Sequence, residues 1–392
     1  MANLNSVSIC LCSDDFLPAA TGAGTHVQQI TEELVRRGHR VSIITTRRSG
    51  QPHREVWQGA NVHRVFSVNI RGYYQAFPSA STITRILEEN SVAILHHHYL
   101  GVMMMRAEKV ARRLGLPQVY TYHMPVDVLV QWWPMQMFRP LFNRIIVDYC
   151  NKFDLIISPS LNLAQRIREE GVRTSIRHIT NPVVFDPAAR VEPVPRPAPF
   201  MVLFAGRLEP EKNIPFLLEG FCSALNTGLK AGLWIAGTGS QQRRLESDCK
   251  SLGISEHVHF LGQEAHSRLG NYYAACDVFV LPSLVETQGL VAMEAMRFAR
   301  PVIVTRSIVA ARELVDEGEN GYIVDPENVG ELAARLLTLE ADLDLRERFG
   351  QRGKERSLTF APDGVIHATE DAYRAALLSG SRGLRKSPRR GS

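Results

Sequence analysis

Short apolar runs alternate with longer amphipathic stretches along almost the whole chain. That alternation admits little besides parallel sheets covered by helices. Residues 6–12 (SVSICLC) read as a buried strand, followed by a loop containing Thr21-Gly22-Ala23-Gly24. A helix over 26–38 follows, with Val27, Ile30 and Leu34 at helical spacing and Gly38 as its stop signal, and then a strand at 41–46 (VSIITT). Strand, glycine loop, helix, strand is one βαβ unit. Further strands are expected at 92–95, 118–122 and 154–158, then at 200–205, 232–236, 257–261, 277–281 and 301–304. In the second half, helices are expected at 213–226, 240–252, 289–298 and 328–339.

Between the two runs of alternation lies DPAARVEPVPRPAPF, whose five prolines (Pro187, Pro193, Pro195, Pro197, Pro199) forbid a helix and favour an extended connection. A chain of 392 residues is also too long for one ordinary core. The expected organisation is therefore a first α/β domain over 1–187, a linker over 188–199, a second α/β domain over 200–378 and a basic, disordered tail over 379–392.

Residues 1–200 hold 22 Lys and Arg against 15 Asp and Glu, while residues 201–392 hold 23 against 25, with five of those cations at the very end. Such asymmetry fits a half that meets an anionic surface, and equally fits ordinary surface variation. The six cysteines are scattered without a Cys-x-x-Cys pair and read as reduced thiols. No run approaches the ~20 apolar residues of a membrane span. The N-terminus lacks the basic start of a secretory signal, so a cytoplasmic location is expected.

The stretch LPSLVETQGLVAMEAMRFARPVIV, residues 281–304, carries the most chemistry. A strand ends near Leu281, a polar loop bears Glu286, and a helix starting near Gly289 bears Glu294. Loops at the carboxyl ends of parallel strands line ligand crevices, and a helix N-terminus there presents backbone N–H groups to phosphate. Two carboxylates so placed can hold vicinal hydroxyls of two sugars. The same spacing also describes two solvated glutamates at a helix start, where Glu is common.

This stretch resembles the paired-glutamate motif of retaining glycosyltransferases of family 4, which adopt the GT-B fold of two Rossmann-like domains facing a central cleft. LFAGRLEPEKNI at 203–214, LWIAGTGS at 233–240, VHFLGQ at 258–263 and ENGYIVDPENVGELA at 319–333 agree with it in order, as do Gly22-Ala23-Gly24 and the following helix. The resemblance implies that Glu294 binds ribose, and that Glu286 meets the donor sugar together with the backbone of Gln288, Gly289 and Leu290. It implies that Arg207 and Lys212 hold the donor diphosphate, where charge grows as the glycosidic bond breaks. Gly22 and Gly24 would lie against the diphosphate, His123 near the donor sugar, and His26 more weakly beside it. The expected donor is a nucleotide sugar, most simply a UDP-hexose, with transfer proceeding with retention and without a metal. Two departures stand out: Glu286-Thr287-Gln288-Gly289 replaces the usual Phe-Gly, a variant resembling the branch that makes glycosyl diacylglycerols, and Asn213 replaces the usual glycine after the motif lysine.

His96-His97-His98 is no metal site in itself, because adjacent side chains on a strand point to opposite faces. Asp342-Leu343-Asp344 reads as solvated surface. A nicotinamide enzyme would need a third loop glycine that TGAGTH lacks, and RNA-binding signatures are absent, so no nucleic-acid partner is expected. A non-transferring sugar-nucleotide enzyme of the same fold remains a rival. The expected acceptor is a membrane lipid such as diacylglycerol at the cytosolic face, with the protein peripheral on an anionic membrane. The grounds are the ETQGLV variant, the segment LVQWWPMQMFRPLF at 129–142 and the basic first half. A soluble sugar or polysaccharide acceptor is the alternative.

Overall fold

A computed structural model describes residues 6–18, 22–70, 73–123, 135–185 and 191–384, with the side chains of 135, 136 and 380–384 left out. The chain divides into two compact units. One comprises the residues up to Pro182 together with those from Pro362 onward, and the other spans Val183–Ala361.

The first unit is built on β1 (Ser8–Cys12), β2 (Arg40–Thr46), β3 (Arg54–Trp57), β4 (Ala60–Val65), β5 (Ser67–Ile70), β6 (Tyr73–Ala76), β7 (Ile94–His97), β8 (Gln118–Thr121), β9 (Leu155–Ser158) and β10 (Ile176–His178). Eight of these form one sheet in the order β10-β9-β8-β7-β1-β2-β4-β3, parallel except for the β3–β4 edge hairpin, while β5 and β6 pair separately. In register, Cys10 lies beside Ser42 on one side and Leu95 on the other. All five β1 residues are buried, as a central strand covered on both faces requires. The sequence pattern missed β3 to β6 and β10. β3 alternates exposed and half-buried residues, and β10 is only three residues long. The helix after β1 runs Gly22–Arg36, four residues earlier at its start than its periodicity suggested.

The second unit holds β11 (Phe200–Ala205), β12 (Ala231–Ala236), β13 (Val258–Gly262), β14 (Val278–Leu281), β15 (Val302–Thr305) and β16 (Gly321–Val324). They form an all-parallel sheet in the order β13-β12-β11-β14-β15-β16. The run FMVLFA of β11 is apolar throughout because its alternate residues serve two cores. Phe200, Val202 and Phe204 enter one cluster, and Met201, Leu203 and Ala205 the other. β16 was not foreseen.

Three expected boundaries are corrected. The first unit ends at Pro182, not 187. The described part of the proline segment is no free linker: Glu192 N–H donates to Asn271 Oδ1 at 2.9 Å, Arg196 pairs with Asp277 at 2.6 Å, and Val194 and Ala198 pack on the second unit's core. Proline fixes an extended shape there, and the extended chain still offers apolar side chains and polar backbone to a neighbour. Finally, the second unit ends at Ala361, and the helix Pro362–Leu384 belongs to the first. Val365, Ile366, Ala372 and Ala376 share a cluster with Ile9, Leu11 and Leu34. Residues 379–384, expected in a disordered tail, continue that helix, and 385–392 lie outside the described residues. Regrouped this way, the first unit carries 26 Lys and Arg against 16 Asp and Glu, and the second 19 against 24.

Candidate functional site

In an open parallel sheet the ligand crevice opens where chain connections leave in opposite directions from two adjacent strands. In the second unit that place lies between β11, whose chain continues to β12, and β14, whose chain continues to β15. The loops after these two strands carry the foreseen residues. Arg207 follows β11 and donates to Glu211 Oε1 at 2.6 Å. Lys212 closes the 3-10 turn Pro210–Lys212 and is ion-paired with Glu286 in the loop after β14. Leu284 N–H donates to Glu211 O at 2.9 Å, tying the two loops together through the backbone. Glu209 reinforces the β11 loop by accepting from Ser240 N–H at 3.0 Å and from its hydroxyl at 2.6 Å.

Asn213, where the family resemblance calls for glycine, sits at φ 51° and ψ 40°. Asn adopts this left-handed conformation more readily than most residues, so the turn after Lys212 retains its shape.

Gly289 caps the helix Leu290–Arg297 at φ 79° and, being glycine, makes no side-chain cap hydrogen bond. A helix start of this kind presents N–H groups and the positive dipole end outward. Gln288 beside it is buried. Glu294, one turn further, is buried and doubly held: Tyr273 O–H donates to Oε2 at 2.8 Å, and His266 Nε2 lies 3.2 Å from Oε1. His266 also packs against Phe185, with centroids 3.8 Å apart and the rings tilted by 35°. Sequence reasoning missed Tyr273 and His266, although their place on the helix just after β13 was a signal.

The first unit has its own reversal point, between β1 and β7. Gly22 and Gly24 open the helix after β1, and Thr21 lies outside the described residues. The same helix carries His26; His98 follows β7 and His123 follows β8. His98 Nδ1 lies 3.2 Å from His123 Nε2, and the His26 ring is 5.4 Å from that of His98 and 5.0 Å from that of His123. Burial pushes His123 down to about 4 and holds His26 and His98 well below the usual histidine range, with mutual repulsion adding to the effect at those two. The rings are neutral at neutral pH. Strand alternation separates the other members of the run. His96 bonds Thr121 and Tyr373 at 2.7 Å each, whereas His97 bonds Gln118 at 3.0 Å on the opposite face. Asp342 caps the helix Leu343–Ser357 through Leu345 N–H at 2.8 Å, a structural duty.

Asp14, just after β1, is buried; its Oδ1 accepts from Ala76 N–H at 3.2 Å while Oδ2 has no partner among the described residues, and burial raises the carboxyl to about 7. Of the aromatic segment 129–142, Trp132 and Trp133 lie outside the described residues. Met137, Phe138, Leu141 and Ile145 are exposed, the last two on the helix Arg139–Cys150. Among the described residues no helix is long and apolar enough to cross a membrane.

The Glycosyltransferase Family 4 model matches residues 20–186, and the Glycosyl transferases group 1 model matches 186–356. The lipopolysaccharide core biosynthesis glycosyltransferase LpsE of Rhizobium meliloti is 30% identical over 64% of this chain and 76% of its own. The chain belongs to glycosyltransferase family 4. The alpha-monoglucosyldiacylglycerol synthase of Streptococcus pneumoniae is 26% identical to this family 4 chain, over 75% of it and 70% of the relative. Anabaena Alr3699/HepE, solved in complex with UDP-glucose, superposes with a TM-score of 0.75 at 19% identity, covering 94% of this chain and 99% of that one. The two Rossmann-like units of this chain are those of the GT-B fold.

Proposed function

We propose that this glycosyltransferase moves a hexose from a UDP-hexose, with retention, to a membrane lipid such as diacylglycerol. The observation that carries the transfer chemistry is the set of groups at the β11–β14 reversal point: Arg207, Lys212, Glu286, the helix start at Gly289 and the buried Glu294. In this reading Arg207, Lys212 and the N–H groups from Gln288 to Leu290 take the diphosphate and the sugar. Glu294 takes the ribose diol, and Glu286 exchanges its Lys212 partner for sugar hydroxyls. Fixed cations stabilise the leaving diphosphate most in the transition state. No side chain of the set is placed as a covalent nucleophile, so the acceptor hydroxyl attacks on the leaving-group face and its proton passes to a phosphate oxygen. His123, Gly22 and Gly24 keep the roles that family resemblance gives them. Transfer needs no metal, and the UDP-glucose complex of HepE supports uridine as the base.

The lipid acceptor rests on the apolar surface formed by Met137, Phe138, Leu141 and Ile145, on the cation excess of that unit, and on the monoglucosyldiacylglycerol synthase relative. Such a face inserts into a bilayer interface while Lys and Arg meet anionic headgroups, placing the protein on the cytosolic face. The LpsE relative favours a second reading, in which the acceptor is a saccharide. A donor panel assayed with diacylglycerol in anionic vesicles and with soluble sugars separates the two. Proton NMR of the product reads the anomeric configuration, and EDTA tests the metal. An inverted linkage, or activity lost to EDTA, defeats the mechanism. Transfer to soluble sugars alone, with no vesicle flotation, defeats the lipid reading and leaves the transferase.

A further inference from the structure

We propose that His26, His98 and His123 form a binding site for a borderline-soft divalent transition ion of the zinc class. Each of the three offers a ring nitrogen, and those nitrogens lie within 4.8 Å of one another. Ligands 2.0–2.1 Å from a tetrahedral zinc ion stand about 3.3 Å apart. The 3.2 Å between His98 Nδ1 and His123 Nε2 already has that edge. His26 approaches the pair from the helix after β1, and a shift of at most about 1.5 Å brings its ring nitrogen from within 4.8 Å to the same spacing.

Two further observations favour a cation here over a closed hydrogen-bonded cluster. Among the described residues His26 Nδ1 and His98 Nε2, both buried, have no hydrogen-bond partner, so the cluster does not satisfy itself. Buried polar atoms left unpaired cost stability, and an ion that takes His26 Nδ1 removes that cost there, while His98 meets it through Nδ1, across the ring from its orphaned Nε2. The three also come from separate elements whose backbones are fixed by a packed sheet: the helix after β1, the end of β7 and the end of β8. Rigid elements of this kind hold a ligand set near its working geometry.

Imidazole suits zinc, copper and nickel, whereas magnesium and calcium need oxygen ligands that the cluster does not supply. Three neutral nitrogens leave a fourth position for water or an anion, and leave the charge of the ion uncompensated.

The consequence for activity rests on the proposed function, whereas the site itself does not. An ion on the ring nitrogen of His123 withdraws that nitrogen from the donor sugar, so an occupied site slows transfer.

The test uses the full-length, untagged chain, stripped with EDTA and dialysed. Titration with Co2+ should give the visible d–d absorption of a nitrogen-ligated ion saturating at an equimolar amount. Zn2+ should abolish that absorption in competition, and Mg2+ should not. His26→Gln and His98→Gln, checked for folding by circular dichroism, should each lose the absorption, whereas His367→Gln, an exposed histidine outside the cluster, should keep it. A stripped wild-type chain that shows no such absorption overturns the site, as does retention of full binding by both cluster variants. If Zn2+ binds and transfer continues at its original rate, the site stands and the role given to His123 in transfer falls.

Discussion

Gly289→Ala places a methyl group where the fold has least room near the glutamate loop. Gly289 stands at φ 79°, and a Cβ there would lie 2.9 Å from Leu281 Cδ2, 3.3 Å from Leu314 Cδ1 and 3.9 Å from Glu286 Cγ. Leu281 and Leu314 are fully buried, so neither leucine can swing into solvent. The left-handed backbone costs a non-glycine residue about 1–2 kcal/mol. Forcing extra carbon into a packed core costs about 1–3 kcal/mol more. Gly318 offers the matched control: it has the same φ of 79° with nothing within 4 Å of its would-be Cβ. Gly318→Ala should therefore lose only the backbone part, and Gly289→Ala should lose about 1–3 kcal/mol beyond it. Urea denaturation followed by circular dichroism gives both values. The displaced loop also shifts Glu286 and the helix start, so kcat/KM for transfer should fall about 10-fold or more in Gly289→Ala, while Gly318→Ala transfers normally. Equal stability losses in the two variants would refute the argument that crowding, and not only dihedral strain, fixes glycine at 289.

Glu294→Gln keeps an acceptor for the Tyr273 hydroxyl and should raise KM for the nucleotide sugar about 10-fold with little change in kcat, because ribose is held alike in ground and transition states. Arg207→Ala and Lys212→Ala should instead lower kcat, by about 100-fold each, since phosphate charge grows only on the way to the transition state; wild-type kinetics in Arg207→Ala would overturn its assignment. Asp14 is held protonated up to about 7, so between about pH 4 and pH 7 the unfolded chain gives up a proton that the folded chain keeps, and stability falls as pH rises. At ~1.36 kcal/mol per pH unit the loss approaches about 4 kcal/mol. Asp14→Asn should therefore gain on wild type across that window in denaturation curves taken at successive pH values, and a constant difference would refute the burial of an unpaired carboxyl.

Much of the second unit was legible because each side of its sheet is a continuous requirement on sequence. β11 must be apolar at every position, and FMVLFA is. Helix starts and strand ends fall where glycine and proline interrupt the pattern, which located Glu286 and Gly289, whereas Lys212 came from the family resemblance alone. The first unit hid more. Its short edge strands β3 to β6 bury too little to impose a period, and Ser67–Ile70 has no fully buried residue at all. The return of Pro362–Leu384 to the first unit was invisible for a different reason. Its inward face, with Ile366 and Tyr373, is apolar in the way any packing face is, and nothing in a helix's own residues says which sheet it covers. Arg36 and Arg37 pair with Asp363, and His39 with Glu370 at 3.0 Å, contacts more than 320 positions apart that no local pattern contains.

The histidines show where local reasoning stops. Alternation along β7 correctly sends His96 and His97 to opposite faces and rules out three adjacent ligands. The same alternation returns His98 to the side of His96, with ring centroids 3.9 Å apart, at the carboxyl end of the sheet. There the reversal of connections between β1 and β7 gathers the residues that follow several strands into one place. His26 and His123 are separated by 97 positions in sequence and by 5.0 Å between ring centroids, and the sheet order alone accounts for it. A motif read along the chain finds ligands that one element carries. Ligands shared among strand ends appear only once the strand order is known, and in a parallel sheet those ends are where chemistry collects.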